Sequence, residues 1–412
     1  MSSRPLPTPL PGREVDWVTT HLGHLCSDRP APSPRFRGTQ AAADAALAAF
    51  DVTGYARRRN EVWPVARRGA SGLSPWIRHG LLTLPDVWAA VDGPIADRTK
   101  FRDELLWQEY GRHLYARLGS ALSRPLRHEA PTVGPATGST TGPTAVSGAG
   151  EWDRSMLCVD TMLSELDHDG WLVNQARLWL AGDWTVRHGA DWRVGEQYFF
   201  AHLLDGSRAA NRAGWQWTVG TATGRPYGFA RAQVERRAPG LCGGCALRTA
   251  CPIEHRPDPE PGDTVVADPR LRRDPDAART AGPATVLRRA EPEVVWLTAE
   301  SLGDADPALA AHPSLPVVFV FDEPLLRHLA LSGKRLVLLT ERLAELAVER
   351  NVEVFLGHPQ AALADRLATV TFAPVPGWRR HADVIEPAEV HPWPWLRTPG
   401  SGSLTSFSAW RR

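Results

Sequence analysis

Lysine is almost missing from this chain: of 47 basic side chains only Lys100 and Lys334 are not arginine. Anionic groups would therefore be met by planar guanidinium forks, although the same bias also follows from genomic base composition. An excess of either charge is missing too, because 46 acidic residues offset the 47 basic ones. That balance excludes a strongly basic protein that coats nucleic acid, so any contact with DNA must come from a local patch. No apolar run approaches the roughly 20 residues that span a bilayer. The opening MSSRPLPTPLPGRE has neither the charged region nor the apolar core of an export signal. A soluble, cytoplasmic protein with no membrane partner is expected. Cysteine is scarce: there are five, and Cys242, Cys245 and Cys251 fall within ten positions. Such clustering points to a metal or cluster site in a reducing compartment rather than to a disulfide framework.

At 412 residues the chain is long enough for two or three domains, each with a core. Residues 1–30, rich in proline and polar side chains, read as a flexible leader. From 31 to 254 apolar residues recur at spacings of three and four, as in AAADAALAAFD and FRDELLWQEYGRHLY, which predicts a helical domain. A Gly, Ser, Thr and Pro-rich stretch over 121–150 cannot support a core and reads as a mobile insertion. Residues 255–293, dominated by Pro, Asp and Arg, read as an interdomain linker. Over 294–412 the period changes. EVVWLTAES, PVVFVFDEP, VEVFLGHP and TVTFAPV are short β-branched runs that alternate with helical stretches such as GKRLVLLTERLAELAVERN. Continuous apolar strands separated by helices predict a doubly wound α/β domain whose parallel sheet is covered on both faces. The expected fold class is thus multidomain, an all-helical domain followed by an α/β domain.

The densest chemistry lies in DWRVGEQYFFAHLLDGSRAANRAGWQW, where Trp192, Trp215 and Trp217 accompany Asp205 and Asn211 in one helix–turn–helix unit. Taken alone, this is an aromatic core, as most tryptophan clusters are. Almost position for position, however, it resembles the flavin-clasping segment of the photolyase/cryptochrome family. The resemblance implies FAD bound in an all-helical domain, and light used either to split pyrimidine dimers in UV-damaged DNA or to signal. VVWLTAESLGDADPAL resembles the family's opening strand and first loop, PVVFVFDEPLL its second strand, and SFSAWRR the segment that closes its α/β domain. In the family that domain comes first, whereas here it comes last. The resemblance therefore implies a circular permutation, with a fused, unrelated α/β domain as the alternative.

Carried over residue by residue, the resemblance implies specific roles. GASGLSPWIRHG is similar to the phosphate-facing loop, in which Ser71, Leu73 and Ser74 would hold the FAD diphosphate through hydroxyls and backbone N–H groups. Ala70 stands where a Thr is common. Phe101, Asn174 and Arg177 match cofactor contacts, Asp205 would pair with Arg177 beside the flavin ring, and Asn211 would face its N5. Glu104 matches the acidic residue that hydrogen-bonds the thymine pair, and Trp107 and Trp217 match the aromatic walls of the lesion pocket. As a helix pattern alone, Glu104 and Trp107 are an ordinary surface, Glu out and Trp in. Trp215 and Trp192 match the first two members of an electron-hopping chain, with Trp152, Trp179 and Trp184 available for the third. Gln108, Val173, Gln175 and Ser207 depart from the family pattern, and Val173 and Gln175 bear on catalysis more than on FAD binding. Without the paired His of (6-4) photoproduct enzymes at Asn174, the implied lesion is the cyclobutane dimer.

Cys242 and Cys245 form a Cys-x-x-Cys pair, and Cys251 is followed directly by Pro252. This run resembles iron–sulfur ligation, and one photolyase subgroup carries such a cluster. A four-thiolate, four-iron four-sulfur site needs one more ligand, for which Cys158 and Cys26 are the candidates. Structural zinc with His255 completing a Cys₃His set is the rival, and free thiols the third possibility. Three function classes stand side by side: FAD-dependent, light-driven DNA repair, a cryptochrome-like flavin photoreceptor without repair activity, and a redox flavoprotein without a light role.

Overall fold

The computed structural model describes residues 2–131, 152–256 and 259–412. Residues 132–150 of the expected insertion lie outside the described residues. One 7-stranded sheet is built from β1 (Ser3–Leu6), β2 (Leu287–Arg288), β3 (Val294–Leu297), β4 (Val317–Asp322), β5 (Val352–Gly357), β6 (Ala368–Thr371) and β7 (Glu389–His391). Their spatial order is β1-β5-β4-β3-β6-β7-β2. The five central strands are parallel, and the two outer ones are antiparallel to their neighbours. β3 and β6 are buried at every position. Covered on both faces, such strands carry unbroken apolar or β-branched runs rather than an alternation. Chain order reverses between β3 and β6, which makes their carboxyl ends the switch point of the sheet.

Three expectations from composition need correction. Residues 1–30 are no flexible leader, since β1 pairs with β5, Ser3 opposite Gly357 and Leu6 opposite Val354. The Glu14–His21 helix then buries Trp17, whose indole N–H donates to the Pro7 carbonyl at 2.8 Å. Proline is tolerated on an edge strand because its outward backbone groups pair with nothing. Within the expected linker 255–293, Asp274 meets Arg117 in a buried pair at 3.0 Å, Leu271 is buried, and the Leu404 N–H donates to the Leu271 carbonyl at 2.7 Å. Ion pairs and backbone bonds hold this strap, so apolar periodicity does not reveal it. Residues 121–131, at the start of the expected insertion, are packed as well. Leu122 is buried, and the Gln216 amide donates to its carbonyl at 2.8 Å while accepting the Leu126 N–H at 3.0 Å.

The helical half centres on the Ile95–Leu118 helix, which packs on the Arg208–Val219 helix, with the Trp192–His202 helix beside the latter. Gly195 permits that last approach. A Cβ there would run into the six-membered ring of Trp215 and lie 3.0 Å from Cδ1 of Trp184. Gly195→Ala is expected to destabilise the fold by about 1–3 kcal/mol through overpacking, read as a lower midpoint in thermal unfolding. An unchanged midpoint would mean that the two indoles do not converge on this helix.

Ion pairs and hydrogen bonds to backbone groups join the two halves. Arg78 forks onto Glu300 at 2.7 and 2.8 Å, and the Leu302 N–H donates to the His79 carbonyl at 2.8 Å. The buried His79 ring lies 2.8 Å from the Ala299 carbonyl and 3.2 Å from that of Leu204. From the Gly333–Glu349 helix, Arg335 donates to the Phe200 and Gly206 carbonyls, and Glu341 accepts the Gly38 N–H at 2.5 Å.

Candidate flavin site and cysteine cluster

Asn174 opens the Asn174–Gly182 helix, and Arg177 follows within its first turn. The Arg177 guanidinium turns back over the chain, with Nε donating to the Leu172 carbonyl at 3.0 Å and Nη2 to Asp205 at 2.7 Å. Asp205 sits in the turn between the Trp192–His202 and Arg208–Val219 helices. Its second oxygen, Oδ1, is buried without a hydrogen-bond partner among the described residues. Left unmet, such an acceptor costs about 1–3 kcal/mol. Arg335 is buried close by. Burial, and then repulsion from Arg78, brings its pKa to about 9 against the pull of Asp205 and Glu300. On the next helix, Asn211 donates its amide to the Glu196 carbonyl at 2.9 Å and to the Glu196 carboxylate at 3.0 Å. Glu196 is itself buried beneath Arg208 at 2.5 Å and Arg212 at 3.5 Å. With both amide protons engaged, Oδ1 is what Asn211 has left to offer a ligand; that orientation is assigned from the hydrogen-bond network.

The other expected cofactor contacts are not hydrogen-bonded to this pair among the described residues. Ser74 begins a short helix, Ser74–Arg78, and accepts the Trp171 indole N–H at 2.9 Å. Ser71 accepts the Leu73 N–H at 3.4 Å, and the Leu73 side chain is in the core, so Leu73 has only main chain to present to a phosphate. Phe101 is buried against Phe50 and Tyr55, at ring separations of 5.0 and 5.1 Å, while Asn174 is exposed. Trp192 and Trp215 are both buried, and their indole N–H groups are unpartnered. Of the three remaining indoles, Trp184 adjoins Trp215 at Gly195 and meets Trp152 at 4.5 Å, whereas Trp179 stacks on Phe229 at 5.7 Å.

Trp107 and Trp217 stand out at 43% and 41% exposure, large apolar rings open to solvent. Trp217 leans on Tyr227 at 5.4 Å. Glu104 is ion-paired to Lys100 at 2.8 Å and to Arg59 at 3.3 Å. What sequence reasoning missed is Phe407, whose ring lies on that of Trp107 at 3.8 Å with an interplanar angle of 11°. It belongs to the C-terminal Phe407–Arg411 helix, which lies along the Ile95–Leu118 helix. There Trp410 donates to His113 Nδ1 at 2.9 Å, and the Tyr110 hydroxyl donates to the Leu404 carbonyl at 2.8 Å. The stripe Trp107, Tyr110, Leu114 signals that this helix face has a partner. It does not say which segment supplies it.

Four cysteines meet beside the start of the Leu157–Asp169 helix: Cys158, Cys242, Cys245 and Cys251 line one cavity with Met156, Leu241 and Ile253. Burial, then Asp183 and the neighbouring thiols, push the Cys158 pKa up to about 12. A cation would reverse that shift, since a coordinating thiol is deprotonated outright. Neither His255, which is exposed, nor Cys26, which donates to the Leu22 carbonyl at 3.4 Å, lines the cavity. Among the described residues the ligand atoms found within 4.8 Å of one another are those of a different set, His312, Glu389 and His391. The thiols are therefore spread wider than a single zinc ion requires, because sulfur ligands at about 2.3 Å sit roughly 3.8 Å apart. Four thiols around one cavity are a donor set that a metal or cluster would use.

The family model described as the FAD binding domain of DNA photolyase matches residues 101–234, the span that contains Arg177, Asp205, Asn211 and the tryptophan-bearing helices. Over residues 101–234 the helical half is thus similar to a flavin-binding domain of photolyase type. The deoxyribodipyrimidine photo-lyase of Escherichia coli is 33% identical over 165 residues, covering 39% of this chain and 33% of the relative. That of Vibrio cholerae is 29% identical over 219 residues, covering 47% and 43%. A Synechocystis cryptochrome structure is similar at 20% identity and a TM-score of 0.41, over 51% of this chain and 46% of that one. The chain spans less than half the length of the curated relatives it matches. These matches support the photolyase/cryptochrome family for residues 101–234. Among the described residues no helix is long and apolar enough to cross a membrane.

Proposed function

We propose that this protein is a deoxyribodipyrimidine photolyase that repairs cyclobutane pyrimidine dimers in UV-damaged DNA. One observation carries the reading: Asp205 is tied to Arg177 through one oxygen while the other is buried and unmet, beside an Asn211 whose amide is held by Glu196. The site lacks a donor, and the N–H edge of a flavin is one. Reduced FAD held there would supply, on excitation, the electron that splits the dimer. Arg177, Asp205 and Asn211 orient the ring, and Ser71, Leu73 and Ser74 take the diphosphate. Trp107 and Trp217 offer open faces to the flipped bases, worth about 1–3 kcal/mol per stacked base. That offsets a flipping cost of a few kcal/mol, lowest at a damaged pair. Glu104, three residues before Trp107, holds the base edges. Cys158, Cys242, Cys245 and Cys251 carry a four-iron four-sulfur cluster that ties the segment after Tyr227 to the helical core.

In this reading the C-terminal region is the family's α/β domain moved by circular permutation. Its support is the parallel order β5-β4-β3-β6-β7, with the first strand of the region at the centre. A permuted chain aligns with unpermuted relatives in pieces, in keeping with the partial coverage above. The test is repair of a defined thymine-dimer oligonucleotide under blue light, with a dark control. Trp217→Ala should weaken binding to damaged duplex about tenfold or more while flavin content is unchanged. A second reading, a cryptochrome-like photoreceptor, is favoured by Phe407, which occupies one face of Trp107. Equal affinity of the parent protein for damaged and intact duplex would select it.

A further inference from the structure

Far from the flavin residues in sequence, one cluster of side chains has no part in the reading above. Glu389 and His391 begin and end β7, and with a side-chain period of two they share a face of the sheet. His312 follows the Pro307–Ala311 helix, which packs across β3, β6 and β7. The three residues bring one ligand atom each within 4.8 Å of one another. Glu389 has 0% of its side chain exposed, against 14% for His312. Its Oε1 accepts from His312 Nε2 at 2.6 Å, from His391 Nε2 at 2.7 Å and from Thr369 Oγ1 at 3.1 Å. Three donors converge on an oxygen that has two lone pairs. The other oxygen, Oε2, is anchored by Arg288.

We propose that His312, Glu389 and His391 form a binding site for a divalent transition-metal ion, zinc being the best match to the donors. Two imidazole nitrogens and a carboxylate oxygen around one point are a zinc donor set that leaves a further position open. The surroundings are those of a supported site, since ligating carboxylates are themselves hydrogen-bonded and Arg288 fixes the far oxygen of Glu389. A second carboxylate, Asp306, lies close to His391 and is itself held by Ser301, Thr371 and the Leu309 N–H at 2.8 Å. Burial pushes its pKa up, and a cation bound nearby would favour its charged form. Seating the ion requires the 2.6 and 2.7 Å contacts to Glu389 to open, to about 3.4 Å between ligand atoms. His312, partly exposed and just beyond its helix, is the member that can move, and it marks the route in. The ion would tie the Pro307–Ala311 helix to β7, whose outer neighbour β2 contributes only the pair Leu287 and Arg288.

The test uses the full-length protein crystallised with zinc in excess of what its cysteines bind, and diffraction data collected at the zinc edge. An anomalous peak about 2.0–2.2 Å from His312 Nε2, His391 Nε2 and a Glu389 oxygen is expected. In solution, chelator competition should show His312→Ala and His391→Ala each weakening one zinc equivalent by about 100-fold or more, with Cys245→Ser leaving that equivalent in place. Zinc found at the cysteines alone, with the Glu389 hydrogen bonds intact, would overturn the proposal and leave a plain charge-neutralising network. Because the map is taken on the parent protein, the outcome does not depend on whether a Glu389→Gln variant folds.

Discussion

Arg177→Ala should yield a protein without flavin. The substitution leaves Asp205 buried with neither oxygen paired, where one is now held at 2.7 Å. Breaking a buried pair by removing one partner costs about 3–5 kcal/mol, roughly a hundredfold or more in any equilibrium that needs the pair intact. Flavin absorbance per protein after gel filtration reads the loss, and circular dichroism shows whether the helices survive. Adding Asp205→Asn should remove the stranded charge and recover stability without recovering flavin, which separates damage to the fold from damage to the site. A full flavin complement in Arg177→Ala would remove this pair from the cofactor assignment.

Cys158→Ser and Cys245→Ser are expected to lower iron, acid-labile sulfide and thermal midpoint together. The effect should be large, because metal affinity at a structural site is folding free energy; for zinc-finger peptides it amounts to about 10–16 kcal/mol. Cys26→Ser is the control. Its thiol lies outside the cavity, donates to the Leu22 carbonyl, and has its pKa pushed up to about 11 by burial and then by Asp28. Iron content should be unaffected by that change. Zinc without sulfide would replace the cluster by a single ion, and the four sulfurs would have to draw together to hold it.

The residues proposed for the site can be picked out from the sequence alone, and for a local reason. Asp205, Asn211, Trp215 and Trp217 lie within a dozen or so positions on one helix and the turn before it, so their relative placement follows from helical geometry alone. Arg177 is more distant, but an Arg beside a buried Asp has few other ways to be satisfied. Cys242, Cys245 and Cys251 are legible by spacing, whereas the fourth ligand stays open between Cys158 and Cys26 until the fold shows that Cys158 lines the cavity. The leader and the linker were misread for a common reason. Composition measures whether a segment can build its own core, and neither β1 nor the Asp274 strap needs one.

By itself the sequence determined the period of the main helices and central strands and the parallel α/β character of the last third, and it marked the residues proposed to clasp the flavin. These depend on neighbours within a turn or a strand, where backbone geometry fixes the distances. Only the tertiary structure decided that Ser3–Leu6 closes one edge of the sheet, that Phe407 lies on Trp107, and that His312 reaches Glu389 across 77 positions of chain. Such pairings are chosen by packing between whole elements, whose faces are apolar or charged in the sequence while their partners remain unspecified until the chain closes on itself.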